Sequence, residues 1–105
     1  MAQAVDPILN RFRSALDVVY GKRVERVVLF GSRARGDARP ESDYDIAVFL
    51  NDFFSFGLEA GRLATIETDI LYGTGAVIYA MPFEAGAYQE QTGLMAELRR
   101  DGLDL

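Results

Sequence analysis

Apolar residues in the first part of the chain change from helical to extended spacing. They recur at three- and four-residue intervals, at Ile8, Leu9, Phe12, Leu16 and Val19. This spacing predicts an amphipathic helix, with Asp6 as its N-terminal cap, Pro7 as its first residue and Gly21 as its end. The β-branched run Val24–Phe30 then predicts a buried strand.

The middle of the chain predicts a loop, a strand and a longer helix. Residues 31–42 contain glycine, proline and many charges, which favour a loop or a loop with one short helical turn. Tyr44–Leu50 predicts a second strand. Ser55 is placed to cap a helix that runs to about Tyr72, and the glycines that follow favour its end. The apolar stripe predicted for this helix consists of Phe56, Ala60, Leu63, Ala64, Ile70 and Leu71.

The last third of the chain predicts a strand and a short helix. Ala76–Met81 reads as a third strand, and Thr92 caps a helix that ends at Gly102. The order is helix, strand, loop, strand, helix, strand, helix. It predicts one sheet with helices packed on it, in a single domain that spans residues 1–105.

Composition narrows the classes of function. The chain has no cysteine and no histidine, so a bound metal must use oxygen ligands, which favours Mg²⁺. A net charge of -5 argues against a broad nucleic-acid surface. The apolar runs are too short to span a membrane. The opening stretch MAQAVDPILNRF lacks the basic and apolar regions of an export signal, so we expect a cytoplasmic protein.

Two carboxylates stand at the start of the second predicted strand. Asp43 and Asp45 are separated by one residue, so on an extended chain their side chains point to the same face. Neighbouring like charges repel unless a cation lies between them. Mg²⁺ suits a site of one or two carboxylates completed by substrate phosphates. The pair is therefore a candidate catalytic and metal site.

A candidate anion site follows the first predicted strand. Gly31 allows a sharp turn and close approach of a phosphate, and Ser32 supplies a hydroxyl and an N–H. Arg33 and Arg35 add positive charge, which makes all four residues candidates for substrate binding. Taken singly, a Gly-Ser pair is more typical of a turn, an Asp-x-Asp of a solvated strand end, and arginines of a soluble surface. Their joint order between two strands is what favours a site.

The joint pattern resembles a known signature. Gly31-Ser32, ten residues (RARGDARPES) and Asp43-Tyr44-Asp45 resemble the motif of the polymerase-β-like nucleotidyltransferase superfamily, and specifically its minimal, single-domain members. The resemblance implies an α/β (α+β) nucleotidyltransferase fold, with a small mixed sheet of about three strands. It also implies ATP–Mg²⁺ as substrate and transfer of AMP to a hydroxyl.

The resemblance assigns roles by position. Gly31 and Ser32 would hold the nucleotide triphosphate, whereas Asp43 and Asp45 would hold magnesium. Arg33 and Arg35 lie in the variable spacer, so their role rests on charge alone. Many members of the group are antitoxins of an all-helical HEPN-domain toxin, and some add AMP to a tyrosine of that toxin.

One expected feature of the family is missing. Larger nucleotidyltransferases carry a third carboxylate on the third strand, where Ala76–Met81 has no acid on either face. The nearest acids are Glu67, Asp69 and Glu84, and each is more typical of a solvated charge. For Glu67, which falls inside the apolar stripe, we expect a position at the helix edge with its carboxylate in water.

Two functions of different class therefore remain. The first is an enzyme that transfers AMP to a HEPN-type toxin. The second is a catalytically weak or inactive antitoxin that neutralises its partner by binding. Apolar residues exceed the obvious need of a small core, and we expect most in the core and a minority at a partner surface. They are Phe53, Phe54, Phe56, Phe83, Tyr88, Leu94, Met95 and Leu98.

Overall fold

A computed structural model describes residues 6–105, and residues 1–5, the start of the stretch in which we expect no export signal, lie outside it. Four α-helices and four strands make up this part of the chain. The helices are α1 (Pro7–Tyr20), α2 (Ser32–Arg35), α3 (Phe56–Thr74) and α4 (Gly93–Asp101). The strands are β1 (Val24–Phe30), β2 (Tyr44–Leu50), β3 (Ile78–Glu84) and β4 (Leu103–Asp104), and short 3₁₀ helices occupy Gly21–Arg23 and Ala85–Gln89.

The strands form one mixed sheet in the order β3-β2-β1-β4. β1 is antiparallel to β2 and to β4, whereas β2 and β3 run parallel. This confirms the predicted α/β fold with a small mixed sheet. The additional strand β4 contributes Leu103 and Asp104, which pair with Leu29 and Val28. Two residues are too few to show an alternating pattern, so this strand could not be predicted from periodicity.

Side-chain caps begin the three long helices where the sequence predicts them. Asp6 accepts hydrogen bonds from the N–H groups of Ile8 and Leu9 at 2.8 and 3.3 Å. Ser55 accepts from Leu58 at 3.2 Å, and Thr92 accepts from Met95 at 3.1 Å. Because these bonds are local, they are readable from sequence alone.

Helices cover both faces of the sheet and bury its central strand. In β2, Ile46, Val48 and Leu50 face α1 and α3, while Ala47 and Phe49 face α4. Burial on both sides explains why this strand is apolar throughout instead of alternating. Of the apolar residues in excess, Phe83, Tyr88, Leu94, Met95 and Leu98 pack into the α4 side, Phe53 packs against the α1–α3 side, and Phe54 and Phe56 are exposed.

The buried face of α3 differs from the predicted stripe. Phe56, Ala64 and Leu71 are exposed, and the residues that the helix buries are Glu59, Leu63, Ile66 and Ile70. Two members of the predicted stripe, Leu63 and Ile70, are buried as expected, whereas Glu59 and Ile66 are buried although the prediction left them out. Glu59 lies inside because arginines pair with its carboxylate. Leu63, Ile66 and Ile70 follow it at helical spacing.

Three boundaries also differ from the predicted ones. Gly73, expected to help close α3, lies inside the helix, which continues to Thr74 and ends at Gly75 in a left-handed conformation. β3 begins two residues later than predicted, where its parallel register starts with Ile78 opposite Tyr44, and it continues three residues beyond the predicted end, to Glu84 opposite Leu50. Within residues 6–105, no helix is long and apolar enough to cross a membrane.

Candidate active site

The acid pair stands at the head of β2, on the α4 side of the sheet. Between the two acids, Tyr44 points the other way into the core, where it is 6% exposed and its hydroxyl donates to Asp6 at 3.0 Å. Strand alternation therefore sends Asp43 and Asp45 to the opposite face. Asp43 is exposed and Asp45 is partly buried. The burial of Tyr44 fixes the direction in which both carboxylates point.

The glycine that ends β1 lies directly against this pair. Phe30 pairs with Asp45 across the antiparallel strands, and Gly31 follows with φ +74°. A Cβ atom built at Gly31 would lie 2.5 Å from the Asp45 Oδ2 atom. Only a residue without a side chain leaves room for the carboxylate in this backbone conformation. The glycine corner and the acid pair thus form one site.

The electrostatic surroundings of Asp45 disfavour its charged form. Partial burial raises the pKa of Asp45, and the neighbouring charges of Asp43 and Glu97 raise it further, against the opposing effect of Arg35. A carboxylate in this position gains from a cation that neutralises the local excess of negative charge. The site therefore has the charge expected of a metal-binding centre.

The two arginines of the spacer lie in different surroundings. The Arg33 guanidinium donates to the carbonyls of Ser42 (2.6 Å) and Pro40 (3.1 Å), and it stacks on the Tyr44 ring at 3.9 Å. Through these contacts, Arg33 stabilises the loop that precedes β2 on the Tyr44 side of the sheet. Arg35 instead faces the acids, with long contacts of 3.4 Å to Asp37 and 3.8 Å to Glu97. Of the two, Arg35 has the looser contacts and lies nearer to Asp45.

Glu97 is a nearby acid that the sequence analysis missed. It lies on α4, and its carboxylate contacts Arg35 and acts on the charge of Asp45. No local pattern marks it, because α4 reaches the site through packing against β1 and β2. In the described part of the chain, no three acidic, histidine or cysteine side chains come together closely enough to hold a metal ion.

The acids considered as third ligands lie elsewhere. Glu67 is partly buried, and its carboxylate accepts a hydrogen bond of 2.6 Å from the Ala80 N–H on β3. The expectation that this carboxylate lies in water was therefore wrong, since the edge strand needs an acceptor there. Burial raises the pKa of Glu67, and this hydrogen bond partly opposes the rise. Glu84 pairs with Leu50 at the far end of β2, and Asp69 is exposed on α3.

Two carboxylates beside a glycine corner fit Mg²⁺ when a substrate supplies the remaining ligands. Asp43 and Asp45 offer oxygen donors, and the absence of a side chain at Gly31 makes room for the Asp45 carboxylate beside the turn. Mg²⁺ is commonly held by one or two carboxylates plus phosphates and water, and a cage made only of protein groups is not required. The donor set therefore matches a metal-bound nucleotide.

A family model for the nucleotidyltransferase domain matches residues 9–89, which include the glycine corner and the acid pair. The chain belongs to the nucleotidyltransferase domain family. A Methanocaldococcus jannaschii protein named "Putative protein adenylyltransferase MJ0604" is 34% identical to this domain over 73 residues, or 70% of this chain and 67% of that protein. A second Methanocaldococcus jannaschii protein, named "Putative protein adenylyltransferase MJ0141", is 36% identical over 45 residues, or 43% of this chain and 46% of that protein.

Solved structures show the same nucleotidyltransferase fold. A crystal structure described as a toxin-antitoxin with AMP-PNP aligns with a TM-score of 0.67 at 19% identity, over 90% of this chain and 69% of that chain. A toxin-antitoxin described as MntA-HpeT aligns with a TM-score of 0.65 at 17% identity, over the same fractions of the two chains. The latter carries aspartate-to-glutamate substitutions at two positions separated by one residue. At these identities the likeness establishes the fold.

Proposed function

We propose that this nucleotidyltransferase domain is a protein adenylyltransferase that transfers AMP from ATP–Mg²⁺ to a tyrosine hydroxyl of a HEPN-type toxin, and so acts as an antitoxin. The observation that carries the proposal is the contact between Gly31 and Asp45, which places the glycine turn after β1 directly against the pair of acids at the head of β2. The adenylyltransferase activity named for the two Methanocaldococcus jannaschii relatives supports it, and so do the toxin-antitoxin structures that share the fold.

Each side chain would contribute a distinct part. Asp43 and Asp45 would hold magnesium, which when bound neutralises phosphate charge and favours departure of pyrophosphate. Gly31 and Ser32 would bind the triphosphate through backbone N–H groups and the serine hydroxyl. Arg35 has only long contacts to Asp37 and Glu97, so it can turn toward a phosphate at little cost.

Arg33 would act indirectly in this scheme. Its bonds to the Ser42 and Pro40 carbonyls hold the spacer, and its stacking on Tyr44 fixes the residue between the two acids. We therefore keep Arg33 as a contributor to the substrate site through the position of the loop. Positioning of this kind is a large part of catalysis in phosphoryl-type transfer, where the protein does little covalent chemistry.

A second function is favoured by one observation. The described residues contain two acids at the site and no cluster of three potential ligands. A second metal ion would lack a firm protein ligand, so transfer could be slow or absent. The chain would then be an antitoxin that neutralises its toxin by binding alone.

One experiment separates the two functions. The purified chain is incubated with ATP labelled at the α-phosphate, MgCl₂ and a HEPN-domain toxin encoded beside it, and the label on the toxin is measured. We expect label with the native chain, its loss with Asp43→Asn, and its retention with the matched surface variant Asp69→Asn. Neutralisation of the toxin without label would support the binding function, and label that persists in Asp43→Asn would contradict the proposed site.

A further inference from the structure

Three chemically distinct groups stand in line across the head of the sheet. Gly31 directly follows β1, and Asp45 and Tyr79 are the second residues of β2 and β3. The register places Phe30 opposite Asp45 and Asp45 opposite Tyr79. Adjacent strands are separated by about 4.8 Å. The glycine corner, the acid pair and the Tyr79 side chain therefore follow one another across two strand spacings.

Tyr79 points to the same face as the acids. Partners in a parallel pair share a face, and Tyr79 is the partner of Asp45. Its side chain is 58% exposed. Met81 on the same face of β3 is 40% exposed, and Val77, which lies just before the strand, is 37% exposed. The phenol thus stands on open surface. Tyr44, in contrast, points into the core and donates its hydroxyl proton to Asp6.

We propose that Tyr79 is itself an acceptor, so that the chain transfers AMP from ATP to its own Tyr79 hydroxyl. This inference rests on the proposed adenylyltransferase function and names a second substrate of the same site. In the step, the Tyr79 Oη atom forms a bond to the α-phosphorus of ATP. The bond from that phosphorus to the oxygen bridging to the β-phosphorus breaks. Pyrophosphate leaves with the electron pair, and the phenol proton passes to water.

The line of groups suits an in-line displacement. The attacking and leaving oxygens must lie on opposite sides of the phosphorus. A triphosphate anchored at Gly31 directs its leaving pyrophosphate toward β1, and the attacking atom must then come from the β3 side, where Tyr79 stands. Once modified, Tyr79 carries a bulky anion at the place where a hydroxyl of the toxin would enter. Self-modification and modification of the toxin therefore exclude each other.

The first test uses the purified chain with ATP and MgCl₂, without a toxin. Intact-mass measurement should show the addition of one AMP, and peptide sequencing should place it on Tyr79. Tyr79→Phe and Asp43→Asn should abolish the addition, while the matched control Tyr72→Phe, on an exposed tyrosine of α3, should retain it. An unmodified native chain, or AMP on another residue, would overturn the inference.

A small acceptor separates failure of this inference from failure of the proposed function. N-acetyl-tyrosinamide is added in excess to the same reaction. If it receives AMP while Tyr79 does not, the self-modification is wrong and the enzymatic activity stands. If neither receives AMP, both proposals fail.

A binding measurement tests the geometry without turnover. Exposed tyrosines are nitrated with tetranitromethane in the presence or absence of Mg²⁺ and α,β-methylene ATP, whose α–β bond cannot be cleaved. We expect the bound analogue to slow nitration of Tyr79 several-fold and to leave Tyr72 unchanged. Equal nitration of Tyr79 with and without the analogue would overturn the placement of Tyr79 beside the nucleotide.

Discussion

An acidic side chain lies near each end of the antiparallel pair β1 and β2, and the charges that surround it are opposite in sign at the two ends. Near the Val24 end, Glu59 is 1% exposed, and its carboxylate contacts Arg23 at 2.6 Å and Arg62 at 3.3 Å. Burial alone would raise the pKa of Glu59, but hydrogen bonds to Arg23 and Tyr20 and the charges of Arg23 and Arg62 together outweigh it, so the pKa is lowered. At this end, arginines therefore balance the negative charge of the carboxylate.

At the other end the neighbours of the acid carry the same charge. Asp45 is partly buried beside Asp43 and Glu97, and its pKa is raised, first by burial and then by these charges. Arg35 offsets only part of the effect. A carboxylate thus stabilises the fold at one end, whereas at the other end its negative charge lacks a matching cation. The comparison shows that the end with unmatched charges is the end at which we propose the functional site.

Removal of the buried carboxylate should have the largest effect. Glu59→Ala leaves Arg23 without its partner, and we expect a loss near the lower limit of the roughly 3–5 kcal/mol range for broken buried pairs, because Arg23 is partly exposed. Asp17→Ala, which breaks the exposed pair with Arg13, should change stability by under about 1 kcal/mol. Urea denaturation at neutral pH measures both.

Acid should diminish the Glu59 effect. A lowered pKa means that the stabilising contribution is present above the ordinary value of 4.5 and is lost as the pH falls through the lower folded-state pKa. The stability difference between the native chain and Glu59→Ala should therefore shrink in acid. A difference that stays constant would show that Glu59 acts through packing and that its charge is not the cause.

A side chain at the glycine corner should have the next largest effect. Gly31→Ala introduces a Cβ atom 2.5 Å from the Asp45 Oδ2 atom at φ +74°. We expect a loss of about 2 kcal/mol, in part from the backbone conformation, which costs roughly 1–2 kcal/mol. Gly36→Ala is the matched control, since φ is +84° and no atom lies within 4 Å of the added carbon. Equal losses in the two variants would mean that Asp45 moves aside freely.

Neutralising one acid of the pair should stabilise the chain slightly. Asp45→Asn removes a carboxylate whose raised pKa makes its charged form unfavourable, and we expect a gain of up to about 1 kcal/mol at neutral pH. An acid with a raised pKa favours folding below its ordinary value of 3.8 and loses that contribution as the pH rises through the folded-state pKa. The gain should therefore vanish in acid.

The same variant tests the cation requirement. Thermal unfolding should show that Mg²⁺ with ATP stabilises the native chain and has no effect on Asp45→Asn. Asp69→Asn, an exposed position on α3, should respond as the native chain does. Equal stabilisation of the native chain and Asp45→Asn would place the ligand away from the acid pair.

The smallest effect is expected at Glu67, a partly buried acid whose carboxylate accepts a backbone hydrogen bond. Glu67→Gln keeps an oxygen that can accept the Ala80 N–H, so stability should change by less than about 0.5 kcal/mol. Glu67→Leu removes the acceptor and should cost about 1 kcal/mol. Denaturation of both variants distinguishes a need for an acceptor from a need for a charge, and a large loss in Glu67→Gln would show that the charge matters.

The sequence predicts those features whose cause is local. Asp6, Ser55 and Thr92 cap helices through bonds to residues two or three positions away, and the glycine corner and acid pair lie within one motif. Features that depend on packing were missed. Glu97 reaches the site from α4, and Glu59 is buried because arginines meet it.

The two arginines of the spacer show the same limit of prediction from the sequence. Arg33 and Arg35 have equal charge and lie in one turn of helix, so the sequence treats them alike. In the fold, Arg33 stacks on the buried Tyr44, and Arg35 contacts Glu97 near the acids. The difference is set by the face of β2 that each arginine meets, and this is decided only when the loop packs.

The hydrogen bond from Ala80 to Glu67 has a consequence for how a protein partner can bind. β3 is the outer strand of the sheet, and an outer strand with free N–H groups invites an extended peptide to add as a further strand. The Glu67 carboxylate accepts a hydrogen bond from one of these N–H groups, that of Ala80, and Pro82 in the same strand has no N–H group. A partner on this side must therefore recognise side chains, because backbone pairing along the edge is obstructed.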